Sequence, residues 1–186
     1  MRIIDLSLPL THHMPVYPGD PEVDIVEIHT LEKEGWNLRR LTLSTHIGTH
    51  VNVPYHMVKK GKNLDAYTLD KFMGSAVIYE KGIVFNKQTG IIFRDHNIDQ
   101  KITDLLVANP PKFIGLSSKF EFDVPLEKLL LEHDIISFEN LINTDKLPGK
   151  FIFYGVPLNI SGADGSPVRV FAVIVPSKRN FHYSRI

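Results

Sequence analysis

The sequence predicts a mixed α/β protein in which a strand-rich, barrel-like core carries few peripheral helices. Short apolar runs bounded by Gly, Pro, Asn and Asp outnumber the segments with helical spacing. Only two segments carry convincing helical spacing, and each leads into an apolar strand run. The 186 residues contain no internal repeat, low-complexity tract or domain boundary. That length suits one domain whose core needs no covalent staples.

Arg2 to Leu8 reads as a first strand, followed by a loop stiffened by Pro9, Pro15, Pro18, Gly19 and Pro21. Val23 to Thr30 and Leu38 to Ser44 alternate well enough for two more strands. Thr68 to Phe72 is a helical turn with Thr68 as candidate cap. Ser75 to Tyr79 and Gly90 to Phe93 are short strands. Asp99 to Ala108 places Ile102, Leu105 and Leu106 at helical spacing and stops before Pro110-Pro111. Lys112 to Leu116 returns as a buried strand. Leu126 to Glu132 is helical, with Pro125 at its start, and Asp134 to Glu139 is a strand. Lys150 to Gly155 and Val168 to Val175 close the sheet, the latter entered by the turn Gly162 to Gly165. The basic tail Ser177 to Ile186 is expected to be mobile or to pack on a partner subunit.

Composition removes several function classes. Lys plus Arg and Asp plus Glu balance at 21 each, which argues against nucleic acid or an anionic membrane as partner. With no cysteine, disulfides, thiolate zinc sites and cysteine nucleophiles are excluded. No apolar run is long enough for a membrane helix, and the run at Met1 to Asp5 breaks too early for a signal peptide. A cytoplasmic location is the expectation.

The most informative segment is His46-Ile-Gly-Thr-His50-Val-Asn52-Val-Pro-Tyr-His56. In an extended backbone, side chains two apart share a face. His46, His50, Asn52 and His56 would then point one way, with Ile47, Val51 and Val53 behind them. Imidazole is the commonest ligand for zinc-like ions, so this face is half of a candidate metal site. The other half requires carboxylates to balance a divalent charge. Glu139, ending the apolar run Ile135 to Phe138, is the best candidate, and Glu127 lies twelve residues earlier in a first helical turn. For Glu127 itself, the helix dipole favours a carboxylate in a first turn without any metal, and that is the preferred reading of the residue on its own. His12, His13, His29, His96, His133 and His182 read as structural or surface residues.

The segment resembles the signature H-x-G-T-H-x-D-x-P-x-H of the cyclase-like metal-dependent hydrolases, the family of bacterial kynurenine formamidase and isatin hydrolase. Met14 to Pro21, Pro125 to Leu141 and Pro157 to Arg169 are similar to other stretches of that family. The resemblance implies a swivelling β/β/α architecture and a homodimer or larger homo-oligomer. It also implies one or two divalent ions, zinc or manganese. His46, His50 and Glu139 match metal ligands, and His56 matches the general acid/base. Such a site activates water to attack an amide-like carbonyl of a small-molecule substrate.

Two ligand positions depart from the family. Its aspartate is Asn52 here, and its later histidine aligns with Glu127. The two changes offset, so His46, His50, Asn52, Glu127 and Glu139 carry the same formal charge, minus two, as the usual set. A neutral amide bridges two cations less well than a carboxylate. Glu127 in place of imidazole shifts preference toward harder ions such as manganese. Ser117 stands where relatives commonly have an aspartate. Tyr17, Trp36 and Phe72 are candidates for the walls of an aromatic substrate pocket. The leading expectation is a hydrolase of a small amide, formamide or cyclic amide. The competing one is a catalytically silent relative that binds a small ligand or a protein partner.

Overall fold

The computed structural model describes residues 1–175, so the expectation for the basic tail, like His182, lies outside them. The strands are β1 (Arg2–Asp5), β2 (Asp24–His29), β3 (Leu38–Thr42), β4 (His50–Asn52), β5 (Met73–Ile78), β6 (Gly90–Phe93), β7 (Ile114–Ser117), β8 (Ser137–Leu141), β9 (Lys150–Tyr154), β10 (Gly165–Pro167) and β11 (Phe171–Ile174). Nine of them form one mixed sheet in the order β1-β11-β9-β5-β6-β7-β8-β4-β10, while β2 and β3 pair apart as an antiparallel ribbon. The strands β5 to β8 run parallel in the middle of the sheet. Helix α1 (Gln100–Ala108) connects β6 to β7, and α2 (Val124–Glu132) connects β7 to β8.

The central strands β6 and β7 are buried throughout and mostly apolar because both of their faces are covered. Ile91, Phe93, Ile114 and Leu116 pack against Ile102, Leu106 and Leu130 of the two helices. On the opposite face, Ile4, Val51, Phe138, Phe153 and Ala172 belong to a single core. Ile4 and Val51 come from opposite ends of the strand order, so one shared core requires the sheet to curl. The chain leaving β1 closes the gap: Ile142 N–H donates to Leu6 O (3.0 Å) and Leu8 N–H to Thr49 Oγ1 (2.8 Å). The barrel-like core expected from the sequence is this curled half-barrel.

The helix boundaries follow from their caps. Asp99 accepts from Ile102 N–H at 2.8 Å, and Asp123 from Leu126 N–H at 3.3 Å. The Asp123 cap starts α2 two residues before the expected Leu126. Thr68 does precede the turn Leu69–Phe72, but its hydroxyl bonds the Asp70 carboxylate and caps no backbone N–H. Strand β10, with Pro167 in only three residues, escaped the sequence reading. No helix among the described residues is long and apolar enough to cross a membrane.

The histidine segment departs most from expectation. It is not one extended strand: His46 lies in a turn, only His50–Asn52 is strand, and Pro54–His56 is a 3₁₀ turn. Gly48 bends the chain at φ +59°, and Pro54 ends the strand.

Candidate metal centre and active site

Strand β4 lies between β8 and β10, and this placement assembles the site. Antiparallel register sets His50 opposite Glu139 and Asn52 opposite Ser137 on one side. On the other side Gly165 pairs with Asn52. The first turn of α2, packed behind β8, contributes Glu127. The five expected ligand residues therefore come from β4 and its preceding turn, α2 and β8.

Asn52 is at the centre and fully buried. Its Nδ2 donates to Glu127 Oε1 (2.6 Å) and to Glu139 Oε1 (2.5 Å), while its Oδ1 faces His46 Nδ1 at 2.7 Å. Ser137 Oγ donates to Glu127 Oε1 at 3.0 Å. His50 Nδ1 is tied to Gly48 O (2.9 Å), leaving Nε2 at 3.5 Å from Glu139 Oε1. His56 lies over His46, ring centroids 3.8 Å apart. The structure thus unites all six residues expected from the sequence, by bending the chain and not by alternation along one strand.

Asp164 joins them, and sequence reasoning missed it. Its Oδ2 is 2.8 Å from His46 Nε2 and 3.6 Å from His56 Nδ1, and its Oδ1 accepts from Thr45 Oγ1 at 2.9 Å. Single ligand atoms of His46, His56 and Asp164 all lie within 4.8 Å of one another. The available signal was the turn Gly162 to Gly165, read only as an entry to the last strand.

The electrostatics follow from burial and neighbours. Burial and the adjacent Glu139 charge push the Glu127 carboxyl up to about 7. Burial also pushes Glu139 upward, but hydrogen bonding and charge from His50, with the Asn52 amide, leave it below the usual range. Burial depresses His50, yet Glu139 and the Gly48 carbonyl raise it overall. For His56, burial and the neighbouring His46 prevail over Asp164 and hold it below the ordinary imidazole value. Burial acts upward on Asp164, but hydrogen bonds from His46 and Thr45 bring it to about 2.

The buried Glu127 and half-buried Glu139 carboxylates against one amide and two imidazoles fit a divalent cation, because such a pair requires positive charge or a proton between its members. The donor set is thiol-free and made of imidazole, amide and carboxylate groups, which suits a divalent ion over a soft monovalent one.

The aromatic candidates separate. Tyr17 and Trp36 are 69% and 55% exposed, Trp36 standing edge-on to His29. Phe72 is 2% exposed in the main core against Tyr67, so it packs and does not line a pocket. Ser117 is buried and accepts from Thr144 Oγ1 at 3.3 Å. His12, His13, His96 and His133 are exposed.

Residues 4–101, just over half of the chain, match the Cyclase family. The chain belongs to that family. The likeness runs end to end. The chain is 27% identical to a kynurenine formamidase of Salinibacter ruber, covering 91% of this chain and 96% of that one. A kynurenine formamidase of Bacillus cytotoxicus is also 27% identical, with 93% and 97% covered. Among solved structures, an isatin hydrolase bound to the product analogue thioisatinate superposes with TM-score 0.77 at 19% identity, covering 92% of both chains. A potential metal-dependent hydrolase with cyclase activity superposes with TM-score 0.74 at 20% identity, covering 92% of this chain and 96% of that one. These superpositions establish the shared cyclase fold.

Proposed function

We propose that this cyclase-family protein hydrolyses a small amide, formamide or cyclic amide, using a divalent ion held by His46, His50, Asn52, Glu127 and Glu139. That the chain is a hydrolase follows from its family and its end-to-end likeness to kynurenine formamidases. The ion, its ligands and the substrate class are the proposal. The observation that carries it is the convergence of these five side chains, with the His56 ring tilted against His46.

A bound zinc or manganese ion would lower the pKa of its water and polarise the substrate carbonyl. The remaining chemistry belongs to side chains. His56, held neutral near pH 7 by burial and by His46, can accept a proton at a ring nitrogen and return it to the leaving nitrogen. Asp164, 3.6 Å from His56 Nδ1, would stabilise the cation so formed. Asn52 keeps Glu127 and Glu139 in place by donating to both. Exposed Tyr17 and Trp36 are proposed as surfaces for an aromatic substrate. The reading includes one or two ions per chain, a cytoplasmic location and a homodimer or larger homo-oligomer.

The test combines metal content with turnover. Wild type should retain about one or two zinc or manganese ions per chain and hydrolyse an N-formyl or cyclic amide. His56→Ala should keep the ion and lose about 10²–10⁴-fold in kcat. A His56→Ala protein with undiminished turnover would sink the acid/base assignment. Wild type that binds no ion and turns over no such amide would favour the silent, ligand-binding relative.

A further inference from the structure

Each of the two histidines read as metal ligands is tethered by one ring nitrogen, which leaves the other facing the glutamate–asparagine group. For His50 the tether is the Gly48 carbonyl, which accepts from Nδ1 at 2.9 Å and leaves Nε2 facing Glu139. For His46 it is Asp164, 2.8 Å from Nε2, which leaves Nδ1 facing Asn52. Histidine ligands of metals commonly donate the second N–H to a carboxylate or carbonyl, which fixes tautomer and ring orientation. We propose that Asp164 is a positioning residue of this site, the outer carboxylate of an Asp164–His46–ion arrangement that aims His46 Nδ1 at the ligand group. This rests on the reading of His46 as a metal ligand.

The seat is built from backbone as well as from the carboxylate. Asp164 O accepts from Val53 N–H at 3.2 Å, and Gly165 pairs with Asn52, so the pairing of β10 with β4 holds Asp164 beside the ligand strand. A Cβ on Gly165 would stand 2.6 Å from His46 Cε1 and 2.6 Å from Val51 O. The ring therefore lies against bare backbone, with Asp164 at its end. Both Asp164 oxygens are engaged, Oδ2 by His46 and Oδ1 by Thr45 Oγ1. A carboxylate so committed is suited to orienting an imidazole. Direct ligation by Asp164 with His46 and His56 is the competing arrangement, and the test separates the two.

The test uses the full chain as wild type, Asp164→Ala, Asp164→Asn, Gly165→Ala, His56→Ala and Glu139→Gln. Zn²⁺ and Mn²⁺ alone are titrated by calorimetry, and ¹⁵N-histidine spectra are recorded without metal at low temperature. Asp164→Ala should weaken ion binding about 10–100-fold. Asp164→Asn, whose amide oxygen can still accept from Nε2–H, should fall between it and wild type. Gly165→Ala should weaken binding by displacing the ring, and His56→Ala should bind within about twofold of wild type, as expected for a group outside the ligand set. The spectra should contain a slowly exchanging His46 Nε2–H in wild type that is lost in Asp164→Ala.

Wild-type affinity in Asp164→Ala, with that resonance retained, overturns the proposal. So does loss of binding in both His56→Ala and Asp164→Ala while Glu139→Gln binds normally, because the ion then sits on Asp164 itself. If wild type binds neither ion, the metal reading fails separately. The His46 resonance then decides alone: presence in wild type and loss in Asp164→Ala upholds the positioning role, and absence from wild type overturns it. Should Asp164→Ala not fold, Asp164→Asn and the wild-type spectrum carry the same decision.

Discussion

Asn52 donates from one amide nitrogen to two glutamates, which places two hydrogens where buried carboxylates otherwise require a cation. This makes the metal-free fold tolerable in a way that an aspartate at 52 would not. Asn52→Asp should lower the stability of the metal-free protein by about 1–3 kcal/mol, the cost of leaving buried acceptors unpaired. Saturating zinc or manganese should reverse that loss. Thermal melts with and without metal check it, and equal destabilisation in both conditions would contradict it. The glutamate pair also makes a pH prediction. Glu127 titrates higher folded than unfolded, so its contribution is fully present at low pH and lost as pH rises through about 7. Glu127→Gln should therefore melt above wild type at pH 8–9 and level with it near pH 4, both proteins metal-free. Asp164 has the opposite sign. Its folded value is depressed, so its stabilising contribution is lost as pH falls from the ordinary carboxylate value toward about 2.

Among the elements, the histidine segment teaches the most. Even spacing singled out His46, His50, Asn52 and His56, and all four do converge. The geometry behind that spacing is different, because an unbroken strand would separate His46 from His56 by about 33 Å at 3.3 Å per residue. The bend at Gly48 and the turn at Pro54 instead bring those rings to 3.8 Å. The types of these residues were legible because metal chemistry restricts them, whereas the bend depends on backbone dihedrals that two faces of alternation do not reveal. Helix α2 links capping to the site. Asp123→Ala should cost about 1 kcal/mol of stability, and it should also weaken ion binding, because Glu127 lies in the turn that Asp123 caps. Asp99→Ala removes the equivalent cap of α1 and should cost a similar amount while leaving ion affinity unchanged. Equal effects of the two variants on metal affinity would break the connection between the cap and Glu127.

At the scale of the whole molecule, the β2–β3 ribbon stands apart from the nine-stranded sheet and exposes Ile28, Trp36, Leu38 and Leu41. A lone two-stranded ribbon is marginal in water, and exposed apolar groups along it suit association. Within the proposed homo-oligomer, Leu38→Asp combined with Leu41→Asp should shift the mass measured by light scattering toward that of one chain. An unchanged oligomer would remove the ribbon from the contact. Residue types pointed to the class of fold and the absence of thiol chemistry, and the motif resemblance they carry pointed to six of the seven residues gathered at the proposed site, since motifs, caps and apolar periodicity are written locally. Only the tertiary structure decided that Asp164 belongs beside His46 and that Phe72 belongs to the core. It also determined that Asn52 serves both glutamates. Each of these depends on the pairing of β4 with β8 and β10 or on the curl of the sheet, contacts between residues as much as 119 positions apart. Local sequence carries no signal for such distances, because their energy exists only once the sheet has closed around its core.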